Sequence, residues 1–330
     1  MLNLNIFFNP DYWLSGRKLL NKKFWQSSLF NSYYRKNHNS NKSLNSKLII
    51  SGPQKLVNNL LTGYRYKESV VFNKNKYHNY YFCNFDEVYS SQIEKICTDS
   101  TNKVLVGPLY TIKGLSRLSE LSYQFPNLKI IVASESAKSS TIELLDNSIK
   151  PDVIKVLPVG IGFEKDIYKN KNERIEKKAL IYFKGRDSRD LKVATSLLKR
   201  KNINYQIFEY GKYSNPKLLS SASVCQFGFI VGRTESQGIA INELMFLNLP
   251  LFVYDSKINN YGGKKLKGTS VPYFDKSCGK IISDNKNIDN DFDEFYNNLL
   301  ESNYYPNKYI AKELTHEAVF QKLEKIFLSF

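Results

Sequence analysis

Apolar and polar residues alternate along this chain in blocks that change period. Short runs of three to eight apolar residues are separated by stretches with helical spacing. After a polar tract ending in Asn-Ser at 45–46, Leu48-Ile-Ile reads as a strand, Ser51-Gly52-Pro53-Gln54 as a tight turn and Lys55–Thr62 as a helix that stops at Gly63. Val70-Val-Phe, Tyr80–Cys83, Val104-Leu-Val before Gly107-Pro108, and Lys129–Val132 read as further strands. Ser134 then opens a helix through Leu145. A second series begins near Ala179. Ala179–Phe183, Tyr205–Phe208, Val224–Val231 and Leu251–Tyr254 are strands. Helices are expected at 190–199, around Leu218-Leu219 and at 239–247. Phe292, Phe295, Leu299 and Leu300 trace one more helix, and 306–330 holds one or two amphipathic helices. Near-continuous apolar strands alternating with helices predict parallel sheets covered on both faces. In such sheets ligands bind beyond the carboxyl ends of the strands, where the two Gly-Pro turns and Ser134 fall.

The densest chemistry lies in Arg233-Thr-Glu235-Ser236-Gln237-Gly238-Ile-Ala-Ile-Asn-Glu243, between the strand at 224–231 and the helix from Ile239. The unit is βαβ. Gly238 lets the backbone approach a ligand, and the free N–H groups of the first helical turn favour an anion. The two carboxylates stand eight positions apart, one in the loop and the other about two helical turns further on. Glu is common on helices, so the spacing by itself also suits a solvated helix face.

With its flanking strands, this junction resembles the Glu-x(7)-Glu motif of retaining nucleotide-sugar glycosyltransferases of the GT-B fold, family-four type. Tyr182-Phe-Lys184-Gly-Arg186, Tyr210-Gly211-Lys-Tyr213, 269–279 and 306–310 are similar to a subgroup of those enzymes. The resemblance spans 47–330 and is strongest over 179–279. It implies an α/β chain of two facing Rossmann-like domains with a ligand cleft between them. It also implies a transferase that moves a sugar from a nucleotide-sugar donor, with retention and without a metal. By position, Glu235 lies beside the transferred sugar as the catalytic carboxylate and Glu243 takes the ribose hydroxyls. Ser236, Gln237 and Gly238 form the diphosphate loop. The commoner motif carries Gly and Phe where this chain has Ser236 and Gln237.

Lys184 and Arg186 flank a glycine at a strand end, where two cations neutralise a phosphate; a solvated turn is the plainer alternative. Arg233 is either a third donor cation or a salt-bridge partner for Glu235. Tyr210 and Gly211 suit the nucleotide, or an ordinary strand-to-helix turn. In the first domain Gly52, Pro53, Gly107 and Ser134 are candidate cleft residues. The expected organisation is an arm and linker over 1–46, an acceptor-side domain over 47–150, a donor-side domain over 151–305, and helices over 306–330. The earlier part of the arm, with Trp13, Trp25 and Phe30, reads as a short helical arm that covers an apolar surface or touches a membrane. Asp289-Asn-Asp291-Phe-Asp293 has the look of an Asp-x-Asp metal motif, but it leads into a helical pattern, where acidic residues favour the helix start.

Composition narrows the alternatives. The 330 residues suffice for two domains, and 42% apolar content supports folded cores. No run approaches the roughly 20 apolar residues of a membrane-spanning helix. The start, Met1–Leu14, lacks the pattern of a signal peptide, so a cytoplasmic place, in part at a membrane surface, is expected. Cys83, Cys97, Cys225 and Cys278 have no metal-ligand spacing and read as free, mostly buried thiols. His38, His78 and His316 do not assemble a hydrolase triad or a zinc site. The net charge of +17 suits attraction to anionic nucleotide sugars or an anionic membrane, but Lys, Asn and Ile enrichment equally fits A+T-rich coding. No base-reading helix or RNA motif appears, so nucleic acid is disfavoured. No cofactor is expected, the nucleotide sugar being a substrate. The acceptor class is a glycan, a lipid-linked sugar or a protein. The rival reading is a catalytically inactive protein of the same fold that binds glycan, anionic membrane or nucleic acid.

Overall fold

The computed structural model describes residues 5–7, 78–85, 87–109, 112–146, 148–162, 174–261 and 263–330. The expected strand-turn-helix at 48–62, the strand at 70–72, and Gly52 and Pro53 lie outside the described residues. Both sheets that carry the fold are parallel α/β layers of Rossmann-like type. The described residues fall into two compact units, divided after Ile130.

The first sheet has the order β1(Asn5–Phe7)-β2(Asn79–Asn84)-β3(Lys103–Leu109)-β4(Leu128–Val132)-β5(Ile154–Val156). Helices α1(Glu87–Cys97), α2(Ile112–Gln124) and α3(Glu135–Leu144) make the crossovers. Strand β1 was not expected from sequence: Asn5–Phe7 pairs in parallel with Tyr80–Phe82, while Trp13, Trp25 and Phe30 of the expected helical arm lie outside the described residues. Val104, Leu105, Val106, Ile130 and Ile131 are fully buried, which is why these strands read as continuous apolar runs.

The second unit is built on β6(Ile175–Lys184), β7(Asn204–Glu209), β8(Cys225–Gly232), β9(Leu251–Tyr254) and β12(Gly279–Ile282). Its crossovers are α4(Ser188–Arg200), α5(Asn215–Val224) and α6(Ile239–Phe246). An antiparallel hairpin, β10(Ile258–Tyr261) with β11(Lys264–Lys267), leaves the sheet after β9. Helices α7(Ile288–Leu300), α8(Pro306–Glu313) and α9(His316–Leu328) follow β12. The strand order is β12-β9-β8-β6-β7. Numbered by appearance, the strands run 2-1-3-4-5, the doubly wound order of flavodoxin-like sheets. The chain reverses direction between β6 and β8, so ligands are expected outside the carboxyl ends of that strand pair.

Period-2 alternation divides the apolar side chains between two faces. Ala179, Ile181, Phe227, Phe229, Val231 and Phe252 pack with Ala194, Leu197 and Leu198 of α4 and with Phe292 and Phe295 of α7. Leu180, Tyr182, Ile230, Leu251 and Val253 face α5, α6 and α8 through Leu218, Ile241, Leu244, Met245 and Ile310. The acidic residues at the start of α7 pair with basic neighbours. Asp289 pairs with Arg200 at 2.7 Å, Asp293 with Lys201 at 2.6 Å, and Asp291 with Lys280 at 2.9 Å. Among the described residues no helix is long and apolar enough to cross a membrane.

Candidate functional site

The carboxyl ends of β6 and β8 lie side by side, with Lys184 paired to Gly232 in register. One further backbone bond, from the Arg233 N–H to the Lys184 carbonyl at 2.8 Å, extends the pairing past the strand ends. Lys184 falls on the same face of β6 as Leu180 and Tyr182, two residues apart each time. Its Nζ meets Glu235 Oε1 at 2.6 Å, and the two side chains are only 12% and 11% exposed. The same ammonium lies 4.3 Å from the ring centroid of Tyr210. Tyr210 follows β7 and is 58% exposed, an aromatic face at the site's outer edge. Gly211 beside it has φ +85°, which turns the chain there from strand toward helix.

Two glycines shape the site. Gly185 has φ +59°, and a Cβ on it would come within 2.9 Å of Arg233 Cδ, so the bare glycine lets the arginine stem lie across the turn. The Arg233 guanidinium is exposed and carries no ion pair or side-chain hydrogen bond among the described residues. The salt bridge to Glu235 is made by Lys184, leaving Arg233 as the cation open to a ligand. Gly238 is left-handed at φ +75°, ψ +50°, and precedes α6 with no side-chain cap. The first-turn amides of α6 are thus left for an anion.

Arg186 is placed differently from Lys184. Its Nε donates to Asp190 at 2.7 Å, and Nη1 donates to the carbonyls of Gly232 and Tyr254 at 3.3 Å each. Its guanidinium also stacks 4.7 Å from the Tyr254 ring. It ties together the ends of β6, β8 and β9 and leaves little of itself for a ligand.

Glu243 sits about one turn into α6, buried at 6% exposure. Tyr213 lies near both carboxylates. Burial chiefly raises its pKa, and the charges of Glu243 and Glu235 push the same way. Tyr182, edge-on to Tyr213 at 6.1 Å, is likewise held as a neutral phenol, chiefly by burial. Ser236 is exposed on the loop. Gln237 turns inward: its side chain is buried and pairs with the Val159 peptide, leaving only its backbone for a ligand. Ser134 is fully buried and caps α3, accepting the Ala137 N–H at 3.0 Å. Gly107 is buried in β3, ahead of a cis peptide to Pro108.

One set of supporting residues was not singled out from sequence. Asp255, buried just past β9, accepts from the Ser270 N–H at 2.6 Å and from Thr269 Oγ1 at 2.9 Å. Ser270 Oγ donates to the Gly232 carbonyl at 2.7 Å, and the Thr269 carbonyl accepts the Glu235 N–H at 2.9 Å. The loop bearing Glu235 is thereby held against the end of β9. A carboxylate directly after an apolar strand, as in Leu251-Phe-Val-Tyr-Asp255, is the signal that would have found it. Burial pushes the thiols of Cys97 and Cys278 up to about 12 and that of Cys225 up to about 11, which disfavours their thiolates at neutral pH.

No family model matches the chain, and no curated protein matches it. Solved structures do. A complex of S. aureus TarM with Fondaparinux, alpha-GlcNAc-glycerol and UDP is 12% identical, with a TM-score of 0.47 over 82% of this chain and 59% of that one. The pneumococcal O-GlcNAc transferase GtfA, in complex with UDP and GlcNAc, is 12% identical, with a TM-score of 0.45 over 76% of this chain and 56% of that one. WaaG, a glycosyltransferase involved in lipopolysaccharide biosynthesis, is 10% identical, with a TM-score of 0.43 over 85% of this chain and 96% of that one. The chain spans less than three fifths of the length of the first two.

Proposed function

We propose that the chain is a retaining, metal-independent glycosyltransferase of GT-B type, with the nucleotide-sugar site at the β6–β8 switch point. The observation that carries this reading is the Lys184–Glu235 pair, seated where a doubly wound sheet binds its ligand and next to an uncapped helix start. A diphosphate held by the α6 amides brings its charge to Lys184 and Arg233. Lys184 then shares its charge between Glu235 and the phosphate. As the bond from the anomeric carbon to the phosphate oxygen breaks, negative charge grows on the leaving diphosphate. The same cations and amides hold it more strongly than in the ground state. Glu235 orients the sugar hydroxyls and favours the positive charge on the ring. The acceptor oxygen bonds to the anomeric carbon from the face the phosphate leaves, and its proton passes to a phosphate oxygen. Glu243 takes the ribose hydroxyls and Tyr210 covers the nucleotide. Arg186 acts at one remove, by fixing the strand ends.

The acceptor, of glycan, lipid-linked or protein class, is assigned to the first unit, and the enzyme to the cytoplasm, in contact with anionic membrane. The test is a thermal-shift screen against nucleotide sugars, followed by release of nucleoside diphosphate with water as acceptor. The wild type should gain stability with at least one donor and release its diphosphate slowly. Glu235→Ala and Glu243→Ala should each lose at least about 100-fold in release while still folding, with one cooperative unfolding transition. No shift with any donor, or wild-type turnover in either variant, overturns the assignment.

A further inference from the structure

Gln237 stands in the loop between Glu235 and the start of α6, yet it does not face the site. Its Oε1 accepts the Val159 N–H at 2.7 Å, and its Nε2 donates to the Val159 carbonyl at 2.7 Å. A primary amide thus pairs with both backbone groups of one residue, as a neighbouring strand would, and at 3% exposure Gln237 is shielded from water. The Gln237 carbonyl also accepts from Asn242 Nδ2 at 3.2 Å, which binds the same residue to the second turn of α6.

Val159 belongs to Leu157-Pro-Val-Gly-Ile-Gly162, a segment anchored at both ends. The Leu157 N–H donates to Val132 at the end of β4 at 2.9 Å. The Ile161 N–H donates to the Leu314 carbonyl, between α8 and α9, at 2.6 Å. Gly160 and Gly162 lie flat against the His316 ring, where any Cβ would approach within 2.6 Å of a ring nitrogen. The loop bearing the carboxylate is therefore fixed on one side by Asp255 through Thr269, and on the other by Gln237 through Val159.

We propose that Gln237 is a positioning residue: its two-bond grip on the Val159 peptide holds the 233–238 loop so that Glu235 and the Gly238 turn keep their catalytic placement. The catalytic part of this statement rests on the glycosyl-transfer reading, and the grip itself does not. A side chain with one donor and one acceptor in fixed geometry is required. Methionine keeps the volume and removes both bonds. A glutamic acid at this position can imitate the amide only when protonated, with its O–H facing the Val159 carbonyl and its C=O facing the Val159 N–H.

The test uses the full chain and two variants. Hydrogen–deuterium exchange of Gln237→Met should show peptides covering 233–239 exchanging about tenfold faster, with the β6 peptide unchanged. In diphosphate release, Gln237→Met should lose about 10- to 100-fold in kcat with little change in KM, at every pH. Gln237→Glu should recover toward wild type as pH falls from 8.5 to 5.5, each pH being compared with wild type. Unchanged exchange in Gln237→Met overturns the grip, whatever the activity. Faster exchange with wild-type kcat, or a Gln237→Glu loss that ignores pH, overturns the catalytic role. If the wild type releases no diphosphate from any donor, the glycosyl-transfer reading and the catalytic role fall together, and the exchange result still decides the grip. Should Gln237→Met fail to fold, the pH course of exchange over 233–239 in Gln237→Glu decides the grip in its place: slower exchange at acid pH, after correction by wild type, supports it, and no such change overturns it.

Discussion

Lys184 and Glu235 hold opposite charges 2.6 Å apart with little water around either. Removing one partner strands the other, which costs more than removing both, because a shielded charge without a counter-charge keeps its desolvation penalty. Lys184→Met should therefore lower stability by about 1–3 kcal/mol. The double variant Lys184→Met/Glu235→Leu should recover most of that loss in urea titrations while remaining inactive in diphosphate release. A double variant as unstable as the sum of the two singles would show that the pair is not coupled. The positions of both residues could be read from sequence, since Lys184 ends an apolar strand before Gly185 and Glu235 lies in the Gly238-bearing loop after another. Their pairing could not, because nothing in the string says which of Lys184, Arg186 and Arg233 reaches Glu235. The answer depends on side-chain direction. Lys184 shares a face with Tyr182, whereas Arg186 follows the left-handed Gly185 and turns to Asp190. Gln237 misleads for a similar reason: a polar residue in a ligand loop reads as a contact, and only the fold shows the Val159 peptide waiting behind it.

Among elements, those with unbroken apolar runs were the most legible. The strand expected at 224–231 is β8 at Cys225–Gly232, and the helix and strand after it begin at Ile239 and Leu251 as read. Burial on both sheet faces forces such runs, so composition and position coincide. The β10–β11 hairpin went unread, because Ile258-Asn-Asn-Tyr and Lys264-Lys-Leu-Lys bury only Leu266 among the residues whose burial is described. It is held by its own pairing and by α3, through Ser140 Oγ to the Lys267 carbonyl at 2.7 Å and Lys264 Nζ to the Leu144 carbonyl at 3.1 Å. Arg174 shows what element ends demand. Its guanidinium donates to the carbonyls of Ala222, Cys225 and Leu247, the last at 2.8 Å, and so closes the C-terminal ends of α5 and α6. Burial lowers its pKa, but the three carbonyls keep a buried guanidinium satisfied. Arg174→Met should cost about 1–3 kcal/mol in chemical denaturation. Arg174→Lys should restore only part, since an ammonium cannot span three carbonyls on two helix ends. Equal stability of the methionine variant and wild type would refute this role.

At the scale of the whole molecule, the second unit is closed by α8 and α9, which return to the segment following β5. Ile161 bridges in parallel to Thr315, and His316, first residue of α9, packs on Gly160 and Gly162. This closure was invisible in sequence: it joins residues more than 150 positions apart, and it turns on two glycines whose only sign was their repetition in Val159-Gly-Ile-Gly162. His316 Nδ1 is buried with no hydrogen-bond partner among the described residues. Burial lowers the pKa of the imidazole below its ordinary value, and a hydrogen bond with the Gly162 backbone only partly offsets this. The native state therefore favours the neutral ring, whereas the unfolded chain takes up a proton near pH 6.5. Between that value and the lower native pKa the unfolded state binds more protons, so stability rises with pH across the window. The contribution is complete above about pH 6.5 and is lost as pH falls toward the native pKa. In thermal unfolding from pH 8 to pH 5, wild type should lose more of its Tm than His316→Gln, whose side chain has no proton to gain. The difference between the two should open below about pH 6.5 and vanish above it. Parallel curves over the whole range would mean that the closure does not sense the charge of this ring. Carboxylates that titrate below this window, such as Glu313 beside Lys322, are common to both proteins and cancel in the comparison.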